Sequence, residues 1–352
     1  MAAPDLLQRL DLAAPIVQAP MAGTATPALA AAVSNAGGLG SIGIATATVD
    51  QARSMIAETR ARSNKSFNVN VFCHQPAKRD VVAEARWLAH LAPLFVEVGA
   101  APPTELHDIY PSFLGNDDAF RMLLETAPAV VSFHFGLPGS DRIAALKERG
   151  IITFATATNP AEARQAEAAG IDAIVAQGIE AGGHRGIVDL DAVDERLSTA
   201  GLLQLLVRQT ALPVIAAGGI MDGRGIRAAL ELGAAAAQLG TAFILCPESA
   251  ASAEYRANLQ AATAAVTRLT GVVSGRPARG LVNRLMRHGE APGSPPHPAY
   301  PVAYDATKRL AAAAKAQGRD EFSPHWAGQG APLARAMPAA DLMAVLRAEM
   351  QV

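Results

Sequence analysis

The chain has 352 residues, enough for a large core and more than the roughly 250 that one closed α/β domain needs, so an added subdomain is expected. Half of the residues are hydrophobic but only 5% are aromatic, and Ala and Gly are abundant, which suits helices laid closely over a parallel sheet. The formal net charge of −2 is scattered and the two cysteines, Cys73 and Cys246, stand far apart, which excludes a nucleic-acid stripe, a polybasic membrane segment, a disulfide scaffold and a zinc knuckle, and leaves a small molecule as the expected partner in a reducing compartment.

The opening MAAPDLLQRLDLAAPI carries an early acidic residue and no long apolar stretch, so it does not read as a secretory signal. No apolar run reaches about 18 residues, so no membrane span is expected and a soluble, cytoplasmic protein is.

Eight short apolar runs rich in β-branched residues follow, each leading through a polar or Gly turn into helical spacing. In order they are PIVQAP, GLGSIGI, FNVNVF, AVVSFHF, IITFATA, DAIVAQG, PVIAAGG and AAAQLGTAFI. Most successive starts lie about two dozen residues apart, the pattern of a (β/α)8 TIM barrel in the α/β class. In the second unit GGLGSIG spells the dinucleotide fingerprint through Gly38, Gly40 and Gly43. These glycines follow a helix and enter a strand, the reverse of what that fingerprint needs, so they predict a helix end and close packing.

A long gap after the third strand, about residues 73–128, holds the amphipathic helix VVAEARWLAHLAPLF, a turn at Pro102-Pro103 and a segment around Tyr110. A second long gap follows the sixth strand near residues 188–200. Both leave from strand C-terminal ends, where barrel loops build active sites, so they are expected to cover substrate. Two helices have legible ends. NPAEARQAEAAG starts at Asn159 as N-cap with Pro160 at its first position and stops at Gly170, while DGRGIRAALELGA starts at Asp222, turns Ile226, Leu230 and Leu232 inward and stops at Gly233. Beyond about residue 260 the alternation ends in TGVVSGRPARGLVN, a Pro-rich linker with disorder expected at 289–298, and helices near 303–317 and 339–351. Residues 1–260 therefore predict the barrel, and residues 261–352 a mainly helical subdomain covering the active site, too fragmentary to fold alone.

The strands PVIAAGGI and AAQLGTAFI both end in Gly at the seventh and eighth barrel positions, where backbone N–H groups of Gly218, Gly219, Gly240 and Thr241 can grip a phosphate. Either turn alone would be an ordinary tight turn. QAPMAG after the first strand offers small residues and Met21 to a flat ring, and Asn70 and Gln177 end strands three and six with carboxamides suited to a flavin's pyrimidine edge, or to capping a neighbouring loop. AQGIEAGGHRG places His184 in a Gly-rich loop on the catalytic face as a group that can hydrogen-bond or take a proton. His134, in SFHFG, is either a second site histidine or a core imidazole satisfied by backbone. Tyr304 and Lys308 are four apart and share a helix face, on a substrate wall or on a solvated surface. No G-x-S-x-G elbow, Walker loop or zinc-ligand spacing occurs, so hydrolase, nucleotide-triphosphatase and metal chemistry are not expected.

QAPMAGTATPALAAAVSNAGGLGSIG, FNVNVFCH, VVSFHFGLP, AQGIEAGGHRG, AAGGIMDGRGIRAALELGAAAAQLGTAF and the tail YPVAYDATK together resemble, in order, the motifs of the bacterial class I nitronate monooxygenases, formerly 2-nitropropane dioxygenases. The resemblance covers nearly the whole chain. It implies FMN held by Met21, Ala22, Gly23, Asn70, Gln177, Gly182, Gly218, Gly219, Gln238, Leu239, Gly240 and Thr241. It further implies His184 beside the reactive edge of the flavin, and a substrate cavity lined by His134, Tyr110, Tyr300, Tyr304 and Lys308. The implied partners are a small anionic nitronate, typically propionate 3-nitronate, and O₂, without NAD(P)H, giving the aldehyde or semialdehyde plus nitrite or nitrate. In that reaction His184 is expected to orient or hydrogen-bond the nitronate, with proton abstraction from a neutral nitroalkane as the alternative; the oligomeric state stays open. Competing readings are an FMN-dependent NADH:quinone reductase or enoyl-thioester reductase on the same barrel, a flavin-free phosphate-binding lyase or isomerase, and a non-catalytic binding barrel.

Overall fold

The computed structural model describes residues 3–351. All eight apolar runs form parallel strands: β1 (Ile16–Gln18), β2 (Gly40–Gly43), β3 (Phe67–Phe72), β4 (Val130–His134), β5 (Ile152–Ala157), β6 (Ala173–Gln177), β8 (Val214–Ala217) and β9 (Ala236–Leu239). They pair in the order β1-β9-β8-β6-β5-β4-β3-β2. A parallel bridge between Val17 and Leu39, with the Gln18 N–H donating to the Leu39 carbonyl at 2.9 Å, closes this sheet into a barrel. The remaining strands, β7 (Gly183–His184), β10 (Thr267–Thr270) and β11 (Ala278–Leu281), make a separate antiparallel sheet in the order β10-β11-β7.

Strand alternation sorts each side chain into the barrel or onto the helices. Val131 and Phe133 of β4 join Val69 and Val71 of β3 in the outer core beneath the helices. The intervening residues face inward in layers. Val130, Ile152, Ala173 and Ala236 form the bottom layer, plugged by Leu6 and Leu10 at the N-terminal helix. Beside Val130, its register partner Asn68 donates from Nδ2 to the Ser41 hydroxyl at 3.2 Å, and the Gln18 Oε1 accepts from the Ser41 N–H at 2.9 Å. The next inward residues, Asn70, Ser132 and Gln177, are the floor of a cavity at the C-terminal face.

The two helix starts lie where the caps put them: Asn159 accepts from the Glu162 N–H, and Asp222 from the Gly225 N–H. The glycines of GGLGSIG serve close packing, since a Cβ on Gly40 would overlap the Ala30 carbonyl. Leu232 is a correction. It sits at the C-cap of helix Gly223–Glu231 and is exposed, because the helix ends one residue earlier and its last position rotates off the buried stripe marked by Ile226.

The region beyond residue 260 departs from the expected helical cap in two ways. First, it contains the hairpin β10–β11, which adds β7 from the barrel's own sixth loop as a third strand. Second, helix Ala339–Glu349 does not cover the site. Its Leu342, Met343 and Leu346 pack with Leu29 and Val33 of helix Pro27–Asn35 and Ile226 of helix Gly223–Glu231, so it fills the gap in the helical ring after β9. Cover comes instead from the middle of the tail joined to the insertion after β3, where helix Val81–Glu97 contributes Trp87, Leu91 and Phe95 to one core with Leu285, Met286, Leu310 and Phe322. Helix Asp117–Thr126, counted with the insertion, belongs to the barrel ring between its neighbours Val49–Arg62 and Ser140–Glu148. The 289–298 linker follows a defined path, with the Ser294 hydroxyl donating to the His288 carbonyl at 3.1 Å. Among the described residues no helix is long and apolar enough to cross a membrane.

Candidate active site

The floor residues and the loops above them enclose a cavity of about 600 Å³, within the range of cofactor and substrate pockets. Seventeen of the eighteen residues singled out from sequence lie on its wall: Met21, Ala22, Gly23, Asn70, Tyr110, His134, Gln177, Gly182, His184, Gly218, Gly219, Gln238, Gly240, Thr241, Tyr300, Tyr304 and Lys308. Leu239 does not. It follows Gln238 on β9, and strand alternation that aims Gln238 inward sends Leu239 to the helix layer, where it is fully buried with Ile16 and Phe243.

The two glycine turns lie side by side at the ends of β8 and β9. Gly218 and Gly219 have φ of 133° and 68°, conformations open to glycine, and a Cβ on Gly218 would come within 2.5 Å of the Thr199 hydroxyl. Gly240 precedes the short helical turn Thr241–Phe243, whose first N–H groups have no partner within the turn. The Thr241 hydroxyl accepts from the Gly328 N–H at 3.0 Å, tying the tail to this corner. Glycine is also required at 182, where a Cβ would strike Ala327 and Gly328.

The floor amides are differently placed. Asn70 Nδ2 donates to the Ser132 carbonyl and hydroxyl at 3.1 and 2.9 Å, leaving its oxygen for the cavity. Gln177 spends both ends on the loop above: its Nε2 donates to the His184 carbonyl at 3.0 Å and its Oε1 accepts from the Gly186 N–H at 2.7 Å.

His184 is held from three sides. Its backbone pairs with Ala278 of β11, and its carbonyl also accepts from His134 Nε2 at 3.1 Å. The other His134 nitrogen bonds the Thr156 hydroxyl at 2.9 Å, so both sides of that imidazole are engaged; His134 lines the cavity while bracing the His184 loop. The His184 ring Nε2 lies 2.9 Å from Ser274 Oγ, which in turn donates to the Arg276 carbonyl at 3.1 Å. Burial, reinforced by His134, Arg276 and His74, pushes the His184 imidazole down to about 3, and burial lowers His134 and His74 to about 4 each. All three rings are uncharged at neutral pH.

An aromatic wall surrounds the ring of His184: Trp326, Tyr300 and Tyr304 at centroid distances of 5.3, 5.5 and 6.2 Å. Tyr304 and Lys308 do share one face of helix Val302–Lys315. Lys308 stands at the exposed rim with Nζ 4.6 Å over the Tyr110 ring and 5.7 Å over that of Tyr304. Burial lowers the Lys308 ammonium below its usual value, raises the Tyr110 phenol to about 12 and raises Tyr300 and Tyr304 further. The hydroxyls therefore stay protonated and can donate.

Ser274, Arg276 and Trp326 were missed in the sequence. They come from the tail, outside the strand-end positions that mark a barrel site, and the one hint was the Gly275 and Pro277 of SGRP. Among the described residues no group of His, Cys, Asp and Glu is arranged to hold a metal ion.

The nitronate monooxygenase family profile matches residues 5–349. Nitronate monooxygenases from Paraburkholderia phytofirmans and Pseudomonas aeruginosa are each 56% identical to this chain, covering 98% and 97% of it and 94% and 97% of their own lengths. Among solved structures, nitroalkane oxidase from Streptomyces ansochromogenes superposes with a TM-score of 0.88 at 40% identity over 98% of both chains. FabK from Thermotoga maritima superposes with a TM-score of 0.75 at 30% identity, over 99% of this chain and 96% of its own. With its site at the C-terminal face of the barrel and these relatives matched almost end to end, the chain belongs to the nitronate monooxygenase family of oxidoreductases.

Proposed function

We propose that the cavity binds FMN and that the enzyme oxidises an anionic alkyl nitronate, with propionate 3-nitronate as its representative substrate, using O₂ and no NAD(P)H, to the aldehyde or semialdehyde plus nitrite or nitrate. The fit to FMN rests on the two turns that line the cavity side by side at the ends of β8 and β9, where the backbone N–H groups of Gly218, Gly219, Gly240 and Thr241 would hold the phosphate. Met21, Ala22 and Gly23 would border the ring, and the free oxygen of Asn70 would meet its pyrimidine edge. When bound, FMN supplies the electron acceptor that O₂ regenerates.

The observation that carries the substrate assignment is an uncharged His184 facing a rim of donors. Two proton arrangements share the same heavy atoms. With the Ser274 hydroxyl donating to the Arg276 carbonyl, Nε2 carries the imidazole hydrogen and Nδ1 presents a lone pair, suited to accept a proton from a neutral nitroalkane. With that hydroxyl turned to Nε2, Nδ1 carries the hydrogen and donates to an oxygen of the anion. A nitronate, already electron-rich at carbon, needs only the second. Lys308 would draw the anion in, the hydroxyls of Tyr110, Tyr300 and Tyr304 would orient its oxygens, and Trp326 would exclude water beside the imidazole. Turnover of propionate 3-nitronate by FMN-loaded enzyme, followed as oxygen uptake with nitrite or nitrate formation, tests this reading; no uptake above the free-flavin rate would overturn it.

A further inference from the structure

Arg276 has an unusual position for an arginine. It is 3% exposed, lies in the turn between β10 and β11 with Ser274, and makes no ion pair among the described residues. Its Nη2 donates to the Ile187 carbonyl, its Nε has no hydrogen-bond partner, and its guanidinium carbon sits 4.1 Å over the Phe135 ring. Of the other buried arginines, Arg185 forms a bidentate pair with Asp194, and Arg279 keeps two of its nitrogens bonded, to the Ile179 carbonyl and the Thr267 hydroxyl; Arg276 has neither a counter-charge nor a partner for its Nε. A buried charge without a counter-charge is costly, and a fold that needed only packing would place an apolar side chain there.

Of the four groups that feel Arg276, His134, His184 and Tyr300 line the cavity, and His74 packs edge-on against Tyr300 at a centroid distance of 5.0 Å. His74 follows β3, His134 ends β4, His184 lies on β7 and Tyr300 ends the linker, and each responds to its charge. The carboxylate that acts on it most is Glu162, whose oxygens are taken by the Thr158 N–H and hydroxyl and by the Val188 N–H. Burial lowers the guanidinium only to about 10, so it is charged at neutral pH while the imidazoles around it are not.

We propose that Arg276 is a buried counter-charge behind the cavity wall, a cation without an ion-pair partner whose field favours a bound anion, so that the site selects a nitronate over its uncharged parent nitroalkane. This deepens, and rests on, the reading of the substrate as an anion. Arg276 is a positioning residue acting through space, distinct from Lys308, which stands in solvent at the rim. A unit charge acting through protein over roughly 10 Å is worth roughly tenfold in binding.

Nitrate, an inert planar anion, provides the probe, its binding read from the perturbed visible spectrum of the FMN-loaded enzyme. In Arg276→Met the dissociation constant for nitrate and the KM for propionate 3-nitronate should both rise about tenfold with a much smaller change in kcat, and Arg276→Lys should restore both. Equal nitrate affinity in wild type and Arg276→Met, or equal loss in the Met and Lys variants, would overturn the proposal by showing a packing role. The wild-type enzyme gives an independent answer should Arg276→Met fail to fold. Nitrate affinity should be flat between about pH 5.5 and 7.5, a unit either side of an ordinary histidine, because the charge sits on Arg276; a loss centred near 6.5 would assign it to a histidine and overturn the proposal. Nitrate binding that depends on Arg276 in an enzyme inert toward nitronates would leave this inference standing and sink the reaction.

Discussion

Ser274 Oγ lies 2.9 Å from His184 Nε2, a bond between the tail hairpin and the sixth loop of the barrel that leaves the imidazole one nitrogen for the cavity. Because the serine hydroxyl can turn between the imidazole and the Arg276 carbonyl, the hydrogen of His184 can move to match the bound molecule. In ¹⁵N spectra of histidine-labelled enzyme, His184 should be a single neutral tautomer at pH 7 and change tautomer when an anion binds. A charged His184 at pH 7 would contradict this account. Replacing His184 with Asn should lower kcat/KM for nitronates about 100-fold or more with FMN retained; full turnover would remove His184 from the mechanism.

The buried histidines make stability acid-sensitive. Their folded values of about 4, 4 and 3 for His74, His134 and His184 lie below the unfolded value near 6.5, so the unfolded chain binds more protons between those limits. Stability is complete above about pH 6.5 and falls as the pH drops toward 4, by on the order of 1–2 kcal/mol per histidine at pH 5. Urea midpoints at pH 7.5 and 5.0 check this. Equal midpoints would mean that these rings are not held neutral.

Gly218→Ala tests the phosphate corner. Its φ of 133° disfavours alanine, and the new methyl would meet a Thr199 hydroxyl already bound to Glu180 and to the Gly218 carbonyl. We expect a loss of about 1–3 kcal/mol in stability and FMN binding weakened at least about tenfold. Isothermal titration with FMN settles the second part, and wild-type affinity would move the phosphate elsewhere.

Lys308→Met should raise the KM for propionate 3-nitronate roughly three- to tenfold and flatten its dependence on ionic strength, since an exposed charge steers an anion more than it holds it. A variant with unchanged KM and unchanged salt dependence would make Lys308 a surface residue.

Much of this was legible in the sequence because barrel strands announce themselves twice, by apolar runs and by what ends them. Asn70 and Gln177 could be read as strand-end residues, and Gly218, Gly219, Gly240 and Thr241 as a turn pair at counted positions, while Gln238 came with the family resemblance. The inclusion of Leu239 shows the limit of reading a run as a block, since alternation separates it from Gln238. What stayed hidden depends on long-range pairing. The β7 strand has two residues and exists because Ala278, far along the chain, pairs with His184. Helix Ala339–Glu349 looks like part of a cap until its partners, helices Pro27–Asn35 and Gly223–Glu231, are seen on either side. Gln177 offered two readings, cofactor edge or loop cap, and its bonds to residues 184 and 186 reveal the second without removing it from the cavity wall.

The most direct test of the central claim is anaerobic mixing of the FMN-loaded enzyme with propionate 3-nitronate or with NADH, following the visible flavin band. The account predicts rapid bleaching by the nitronate, return of the band on admitting O₂, and no reaction with NADH. Rapid bleaching by NADH with the nitronate inert would contradict it and make the protein a reductase.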